Sequence, residues 1–220
     1  NFIETIKTKN KEKISSLVRY PLTREYPIPE VKNKNELLKR FDEVFDTKLL
    51  TLIVKSKVKT DWSEMGWRGI MLLNGEVWLD FDGKLIGVNY QSQFEKKKKE
   101  KLITIQKNSL HKSLQNFVRP VCILETSKFR IRIDDMGHDK YRYASWRLQQ
   151  KMSEKPEVLI LNGKVEREGS GGNHSYVFKS GEYTYECGIV EMGEDGAPPA
   201  FLTVSKGNKE ILSQNAKIRK

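Results

Sequence analysis

The stretch Asp61–Tyr90 constrains the fold more than any other part of the sequence, because it carries two hairpin signals close together. Asn74-Gly75 lies between two apolar runs and favours a type I′ turn, in which both central residues need positive φ. Asp82-Gly83 gives a second turn signal. Together they predict a three-stranded antiparallel meander with strands at Trp67–Leu73, Glu76–Phe81 and Lys84–Tyr90.

A long amphipathic helix is predicted just before the meander. Asn33 is an N-cap residue with Glu36 three positions later, which is a capping-box arrangement. Apolar residues recur at three- and four-residue steps from Leu37 to Ile53, so they define one face for burial. We expect this helix, Asn35–Ser56, to pack on the meander.

A second helix is predicted at Gln93–Val118 and ends before Arg119-Pro120, because the residue before a proline disfavours helical geometry. Its first turns contain a basic patch. A lysine run at a helix start is typical of a solvated face, but it can also attract anionic polymers. The lysines of this patch are Lys96, Lys97, Lys98, Lys99 and Lys101.

After Pro120 the sequence consists of short strand patterns separated by turn signals, including Asn162-Gly163 and Ser180-Gly181. Regular strands with a turn between each pair predict a small all-β sandwich or barrel. The predicted fold class is therefore α+β, with a helix on a curved antiparallel sheet followed by this β domain. We expect a polar tether at residues 1–16, an α+β roll with two helices at 17–118, and the β domain at 119–220.

The helix followed by GWRGIMLLNGEVWLDFDGKLIGVNY resembles the cystatin-like α+β roll of the NTF2-like superfamily. The segments YPLTREYPIP, RFDEVFD and RIRIDD…YRYASW are similar to uncharacterised exported lipoproteins of gut Bacteroides-type bacteria. The resemblance implies an exported, lipid-anchored protein of the periplasm or the cell surface. The superfamily includes enzymes and plain binding domains. Its enzymes carry an Asp/His or Asp/Tyr pair inside the sheet, and no residue of this chain matches that pair.

Charge favours an anionic partner. The formal net charge is +11, and residues 1–60 and 91–120 each contribute +6 of positive charge. Anionic glycans, lipopolysaccharide and nucleic acid all fit such a surface. Nucleic acid is disfavoured because no nucleic-acid-binding module is recognisable.

No apolar run reaches the roughly 20 residues of a membrane span, so membrane attachment is expected only through a lipid anchor outside this chain.

Two cysteines, Cys122 and Cys187, fall in predicted strands. They can form a disulfide if those strands are neighbours, which an exported location permits. Two buried free thiols are the alternative. No metal site is expected, because the sequence has neither a CxxC motif nor a histidine at ligand spacing.

The candidate binding residues are two tryptophans with a neighbouring arginine, two aspartates, and a histidine at the end of a glycine-rich loop. Tryptophan either stacks on sugars or fills cores, and Trp62 beside Asp61 is the tryptophan expected to be exposed. Asp80 and Asp82 lie near a turn and would be the acidic pair of a hydrolase, although aspartate is also common in turns. His174 ends the glycine-rich loop 169–174. The candidate binding residues are Trp62, Trp67, Arg68, Asp80, Asp82 and His174.

The sequence therefore predicts a non-catalytic envelope protein that binds a protein or an anionic glycan, without a cofactor. The first alternative is a hydrolase of envelope polysaccharides that uses Asp80 and Asp82. The second is a protein inhibitor, for example of lysozyme, that presents loop 169–174 or an acidic patch in 182–195. An open concave sheet face with convergent polar groups would favour the enzyme, whereas a face filled by the Asn35–Ser56 helix would make the roll a scaffold.

Overall fold

The computed structural model describes residues 2–169 and 171–219, and it divides the chain into two compact units, Asn1–Leu102 and Ile103–Lys220. The fold is α+β, with a helical first part and a β-barrel. The helices are α1 (Phe2–Lys7), α2 (Lys11–Ser16), α3 (Lys34–Lys39), α4 (Phe41–Val44), α5 (Thr47–Lys55), α6 (Val58–Asp61) and α7 (Gln93–Ser109).

The strands form two antiparallel sheets. In the described residues of the first unit the sheet order is β1-β2-β3-β4, and in the second unit β5 to β12 close into a barrel. The first sheet contains β1 (Trp62–Glu64), β2 (Ile70–Leu72), β3 (Val77–Leu79) and β4 (Leu85–Val88). The barrel contains β5 (Arg119–Glu125), β6 (Phe129–Gly137), β7 (Lys140–Arg147), β8 (Val158–Arg167), β9 (His174–Ser180), β10 (Tyr183–Ile189), β11 (Ala200–Lys206) and β12 (Lys209–Arg219).

The predicted Asn35–Ser56 helix is three shorter helices, α3, α4 and α5. The predicted N-cap is correct, since the Asn33 side chain accepts a hydrogen bond from the Glu36 amide at 3.0 Å. The chain restarts as α5 because the Asp46 side chain accepts a hydrogen bond from the Leu49 amide at 2.8 Å. Each piece still contributes apolar side chains to one core, so the periodicity identified the buried face but not the breaks.

The meander is present with shorter strands and with β1 added at its edge. Met71 and Gly87 lie opposite Trp78 on the two neighbouring strands. The turn after β2 is not the expected type I′ turn, because Leu73 and Gly75 have positive φ whereas Asn74 does not. The core side of the sheet carries apolar residues that pack against α3, α4 and α5, namely Leu72, Val77, Leu79, Leu85 and Val88.

Residues 2–16, expected to be a polar tether, form α1 and α2. The apolar side chains of Phe2, Ile6 and Ile14 are buried in the core of the first unit. The lysines between them are exposed and dominate the composition, which conceals the amphipathic pattern of these two short helices.

The second unit is an up-and-down barrel in which consecutive strands are neighbours and β12 pairs with β5. Inward-facing side chains such as Ile133, Tyr143 and Phe178 fill its interior. Asn162-Gly163, expected to be a turn, lies inside β8 at an irregularity in the pairing with β7. A Cβ on Gly163 would lie 2.2 Å from the Phe178 ring, so this glycine permits a close ring approach.

The predicted second helix ends at Ser109 rather than Val118. Leu110, Leu114 and Phe117 follow it and pack against Trp146 on the outer wall of the barrel. The unit boundary falls inside α7, so the expected boundary after residue 118 is sixteen residues beyond the observed one after Leu102. The reason is that residues 103–118 cover the barrel.

A buried ionic network fastens residues 103–118 to the barrel wall. Asp134 binds Arg132 at 2.8 Å and Arg142 at 2.6 Å, and all three side chains are almost completely buried. Arg142 also donates to the carbonyl oxygens of Leu114 and Asn116. Most polar atoms of these three side chains make structural contacts and the side chains are buried, so they are not candidates for ligand binding.

Candidate functional site

An open cleft of about 790 Å³ runs along α5 in the first unit. Leu49 and Ile53 face the core, which directs Thr47, Thr51 and Lys55 outward at positions i, i+4 and i+8 of the helix. The cleft therefore has a row of hydrogen-bond donors along one wall. Its volume lies within the range of about 300–1,000 Å³ that is typical of small-molecule sites.

The lining of this α5 cleft includes apolar surface from Leu52, Leu73 and Tyr90. The Tyr90 hydroxyl donates a hydrogen bond to the Asp46 carboxylate at 2.9 Å. Burial, reinforced by this hydrogen bond, raises the pKa of Tyr90 to about 12. The phenol is therefore neutral at physiological pH and holds its ring against the end of α5.

The ammonium groups of Lys48 and Lys55 have no carboxylate partner among residues 2–169 and 171–219. Two acidic residues, Asp61 and Glu76, also line the cleft. The Asp61 carboxylate accepts hydrogen bonds from the Lys57 amide at 2.7 Å and the Thr60 hydroxyl at 2.9 Å. These hydrogen bonds, the Lys57 amide first, lower the pKa of Asp61, so it stays ionised and stabilises the short helix α6.

The predicted acidic pair, Asp80 and Asp82, does not line the α5 cleft. Asp80 and Asp82 both bind the guanidinium of Arg19, Asp82 at 3.2 Å. The other oxygen of Asp80 accepts the amides of Asp82 and Lys84, which shapes the turn before β4. Burial alone would raise the pKa of Asp80, but the hydrogen bonds from Arg19 and these amides lower it below its usual range. This pair therefore stabilises a turn.

The exposed tryptophan in this region is Trp67 and not Trp62. Trp62 is half-buried, because its Nε1 donates to the Ser56 hydroxyl at 2.9 Å and its ring meets Phe2 edge-on. Trp67, in a 3-10 turn with Arg68, is 63% exposed. The prediction that Trp62 is the exposed tryptophan is wrong, since it enters the core at the edge of β1.

The structure divides the basic patch into paired and unpaired lysines. Lys98 binds Glu43 at 2.7 Å and Lys99 binds Glu25 at 2.5 Å. Lys96, Lys97 and Lys101 are exposed, and no carboxylate partner is found for them in the described part of the chain. Lys98 and Lys99 thus hold the first turns of α7 against other residues of the first unit.

The cysteines do not form a disulfide. Cys122 lies on β5 and Cys187 on β10, and β11 and β12 separate these strands in the barrel. Both thiols are free and buried in the interior. Burial raises the pKa of Cys122 to about 12 and that of Cys187 well above its ordinary value.

Loop 169–174 contacts the segment after β10, since the Asn173 side chain accepts hydrogen bonds from the Glu191 and Met192 amides at 2.9 Å. Loop 169–174 connects β8 to β9, with Ser170 outside the described residues, and His174 begins β9 with its Nδ1 2.8 Å from the Gly172 carbonyl oxygen. Glu182 lies before β10, whereas Glu191 and Glu194 lie after it. A seven-residue strand therefore separates them, and the acidic residues of 182–195 do not form one patch.

Sequence reasoning missed the α5 cleft. Its best signal was the polar row Thr47, Thr51 and Lys55, which repeats every four residues opposite the apolar face of α5. The other wall is formed by Leu73 and Glu76, whose position depends on the turn after β2. Helical spacing predicts the row of donors, but not which turn lies opposite it.

No group of three or more His, Cys, Asp or Glu side chains in residues 2–169 and 171–219 is arranged to hold a metal ion. None of the helices formed by these residues combines the length and apolar character that a membrane span requires. No protein-family model matches the sequence, and no curated protein or solved structure is significantly similar to it.

Proposed function

We propose that this protein is a non-catalytic binding protein of the cell envelope, and that the α5 cleft takes an anionic glycan. The observation that carries the proposal is the row of unpartnered donors on α5 beside the ring of Tyr90. The ammonium groups of Lys48 and Lys55 can pair with carboxylate or sulfate groups. The hydroxyls of Thr47 and Thr51 and the carboxylate of Glu76 can bond sugar hydroxyls.

Binding is favoured over hydrolysis because most carboxylates near the sheet already have structural partners. Asp80 and Asp82 bind Arg19, and Asp61 accepts hydrogen bonds from Thr60 and from the N-cap residue of its own helix, α6. A glycosidase needs two carboxyl groups with different protonation states on either side of the scissile bond. Glu76 is the one cleft carboxylate for which the described residues provide no hydrogen-bond donor.

The proposal includes two further expectations, a cystatin-like first unit and an exported location. The cystatin-like description of the first unit is supported by the packing of α3, α4 and α5 on one side of an antiparallel sheet. That side is filled by apolar residues, so the sheet acts as a scaffold and the ligand is expected on the far side of α5. The exported location rests on the sequence resemblance and is compatible with a glycan ligand.

The test is calorimetric titration with oligogalacturonate, a polymer of uronic acid, and with a sulfated oligosaccharide. The variant Lys48→Ala/Lys55→Ala should weaken binding about tenfold or more, equivalent to at least about 1.4 kcal/mol. The matched control Lys13→Ala/Lys32→Ala removes the same charge from exposed lysines outside the cleft. Equal losses in both variants would assign binding to overall charge and contradict the proposed site.

A further inference from the structure

One edge of the first sheet, at β4, is covered by another segment of the chain, whereas the edge at β1 is not covered by any described residues. The edge at β4 is covered, because residues 17–19 run beside Leu85, with the Arg19 amide donating to the Leu85 carbonyl and the Leu85 amide to the Leu17 carbonyl, both at 2.8 Å. On the other side, β1 pairs only with β2 among the described residues. An uncovered edge strand is a template for another strand.

The register fixes which backbone groups of β1 point outward. The Leu73 amide donates to the Asp61 carbonyl at 2.7 Å, and the Met65 amide donates to the Gly69 carbonyl at 2.8 Å. Alternate residues of an antiparallel strand face opposite edges. The amides and carbonyls of Trp62 and Glu64 therefore point away from β2 and are available to another strand.

An apolar pocket of about 260 Å³ lies beside this edge. Trp62, Ile70 and Leu79 line it from the core side of the sheet, and Phe2 and Val58 line it from α1 and α6. A residue placed opposite Trp62 or Glu64 on an added strand would project on this same side. The pocket can receive one bulky apolar side chain from that strand.

The charge around the edge is positive. Three cations precede or follow β1, against two acidic residues, Asp61 and Glu64. The Asp61 carboxylate already accepts hydrogen bonds from Thr60 of α6 and from Lys57, the N-cap of that helix. The cations are Lys57, Lys59 and Arg68, all of them exposed. An extended segment with acidic residues on either side of an apolar one is complementary to this edge.

We infer that the outer edge of β1 docks an extended acidic peptide of a partner protein, which adds to the sheet as a strand and inserts one bulky apolar side chain into the pocket. Main-chain hydrogen bonds provide the affinity in this recognition mode, and the pocket provides the specificity. This site uses the edge of β1 rather than the donors of α5, so it does not depend on glycan binding.

The probe is a short synthetic peptide in which glutamate and leucine alternate, with blocked ends, and the readout is amide hydrogen exchange measured by NMR. Binding should slow exchange at the Trp62 and Glu64 amides by about tenfold or more, since both become hydrogen-bonded. A peptide with lysine in place of glutamate should protect neither amide. Absence of protection with the acidic peptide at millimolar concentration overturns the inference.

Glu64→Pro is the decisive variant, because it removes the outward amide of β1 and leaves the hydrogen bonds to β2 in place. It should weaken peptide binding about tenfold or more, whereas the matched control Glu64→Gln, which keeps the amide, should bind at least as well as the parent chain. Circular dichroism of both variants checks the fold. Equal binding by the two variants overturns the inference.

Two further outcomes separate this site from its alternatives. Lys48→Ala/Lys55→Ala should retain peptide binding, and loss of binding would place the peptide in the α5 cleft instead. Sedimentation across a range of protein concentrations tests a second copy as the occupant. Protection of Trp62 and Glu64 that rises with protein concentration in the absence of peptide would overturn the inference in favour of a dimer.

Discussion

The guanidinium of Arg24 and the carboxylate of Glu95 form a two-point ion pair inside the first unit, with Nε and Oε1 2.8 Å apart. Both side chains are almost fully buried. Arg24 also donates to the carbonyl oxygens of Val88 and Tyr90. The pair thus joins the segment after α2 to the end of β4 and the start of α7.

Removing one partner of this pair should be costly. Glu95→Ala leaves the Arg24 charge buried and uncompensated, and we expect a loss of about 3–5 kcal/mol in the free energy of unfolding. Urea unfolding followed by tryptophan fluorescence measures it, since Trp62, Trp67 and Trp78 lie in this unit.

The double variant Arg24→Met/Glu95→Leu is the control for that experiment. Replacing both charges by apolar side chains of similar size is often neutral or stabilising, so the double variant should be much more stable than Glu95→Ala. A single variant that is as stable as the parent chain would show that the pair is not buried in solution.

Replacing Gly163 should destabilise the barrel. The added Cβ of Gly163→Ala would lie 2.2 Å from the Phe178 ring, inside a filled core. Overpacking of this kind costs about 1–3 kcal/mol. Thermal unfolding followed by circular dichroism should show a lower midpoint for Gly163→Ala than for the neighbouring exposed control Lys164→Ala. Equal midpoints would contradict the close approach of the ring.

Gly163 also illustrates which parts of the fold can be predicted from the sequence and which cannot. Ser180-Gly181 lies at a real turn between β9 and β10, and the short strand patterns separated by turn signals predicted the β domain. Asn162-Gly163 has the same composition as a turn, yet it lies inside β8, because its glycine meets a ring contributed by β9. Local sequence does not distinguish a glycine needed for a turn from one needed for a distant contact.

In the first unit, too, local sequence predicts the elements but not the contacts between distant segments. The apolar face from Leu37 to Ile53 was predictable from periodicity, and Asn33 from its capping pattern. The α5 cleft was not, because its second wall is the turn at Leu73, where the backbone has positive φ. A site between a helix and a turn depends on tertiary packing, which no spacing rule contains.

The two cysteines should behave as inert thiols. The thiolate is the reactive form, and burial raises the pKa of both Cys122 and Cys187, so little thiolate exists at neutral pH. A thiol reagent such as DTNB should react slowly with the folded protein and rapidly with both cysteines in urea. An intact mass two hydrogens lower under non-reducing conditions would instead show a disulfide.

The Tyr90 phenol should lose its proton at a higher pH than an exposed tyrosine does. Its pKa is about 12 in the folded protein, against about 10 for an unfolded tyrosine. The folded state therefore holds this proton more tightly, so its contribution to stability is complete below about pH 10 and is lost as the pH rises through about 12. The phenolate absorbance lost in Tyr90→Phe should titrate near pH 12, whereas a midpoint near pH 10 would contradict the burial of this ring in the α5 cleft.

The central claim is that the α5 cleft binds an anionic glycan without cleaving it. The most direct measurement is an NMR titration of the isotope-labelled protein with oligogalacturonate, followed by chain-length analysis of the sugar in the same tube. We predict saturable shifts of the Thr47, Thr51, Lys55 and Tyr90 amides, with the sugar unchanged. Shifts confined to the lysines of α7, the absence of any shift, or shortened oligosaccharides would contradict the claim.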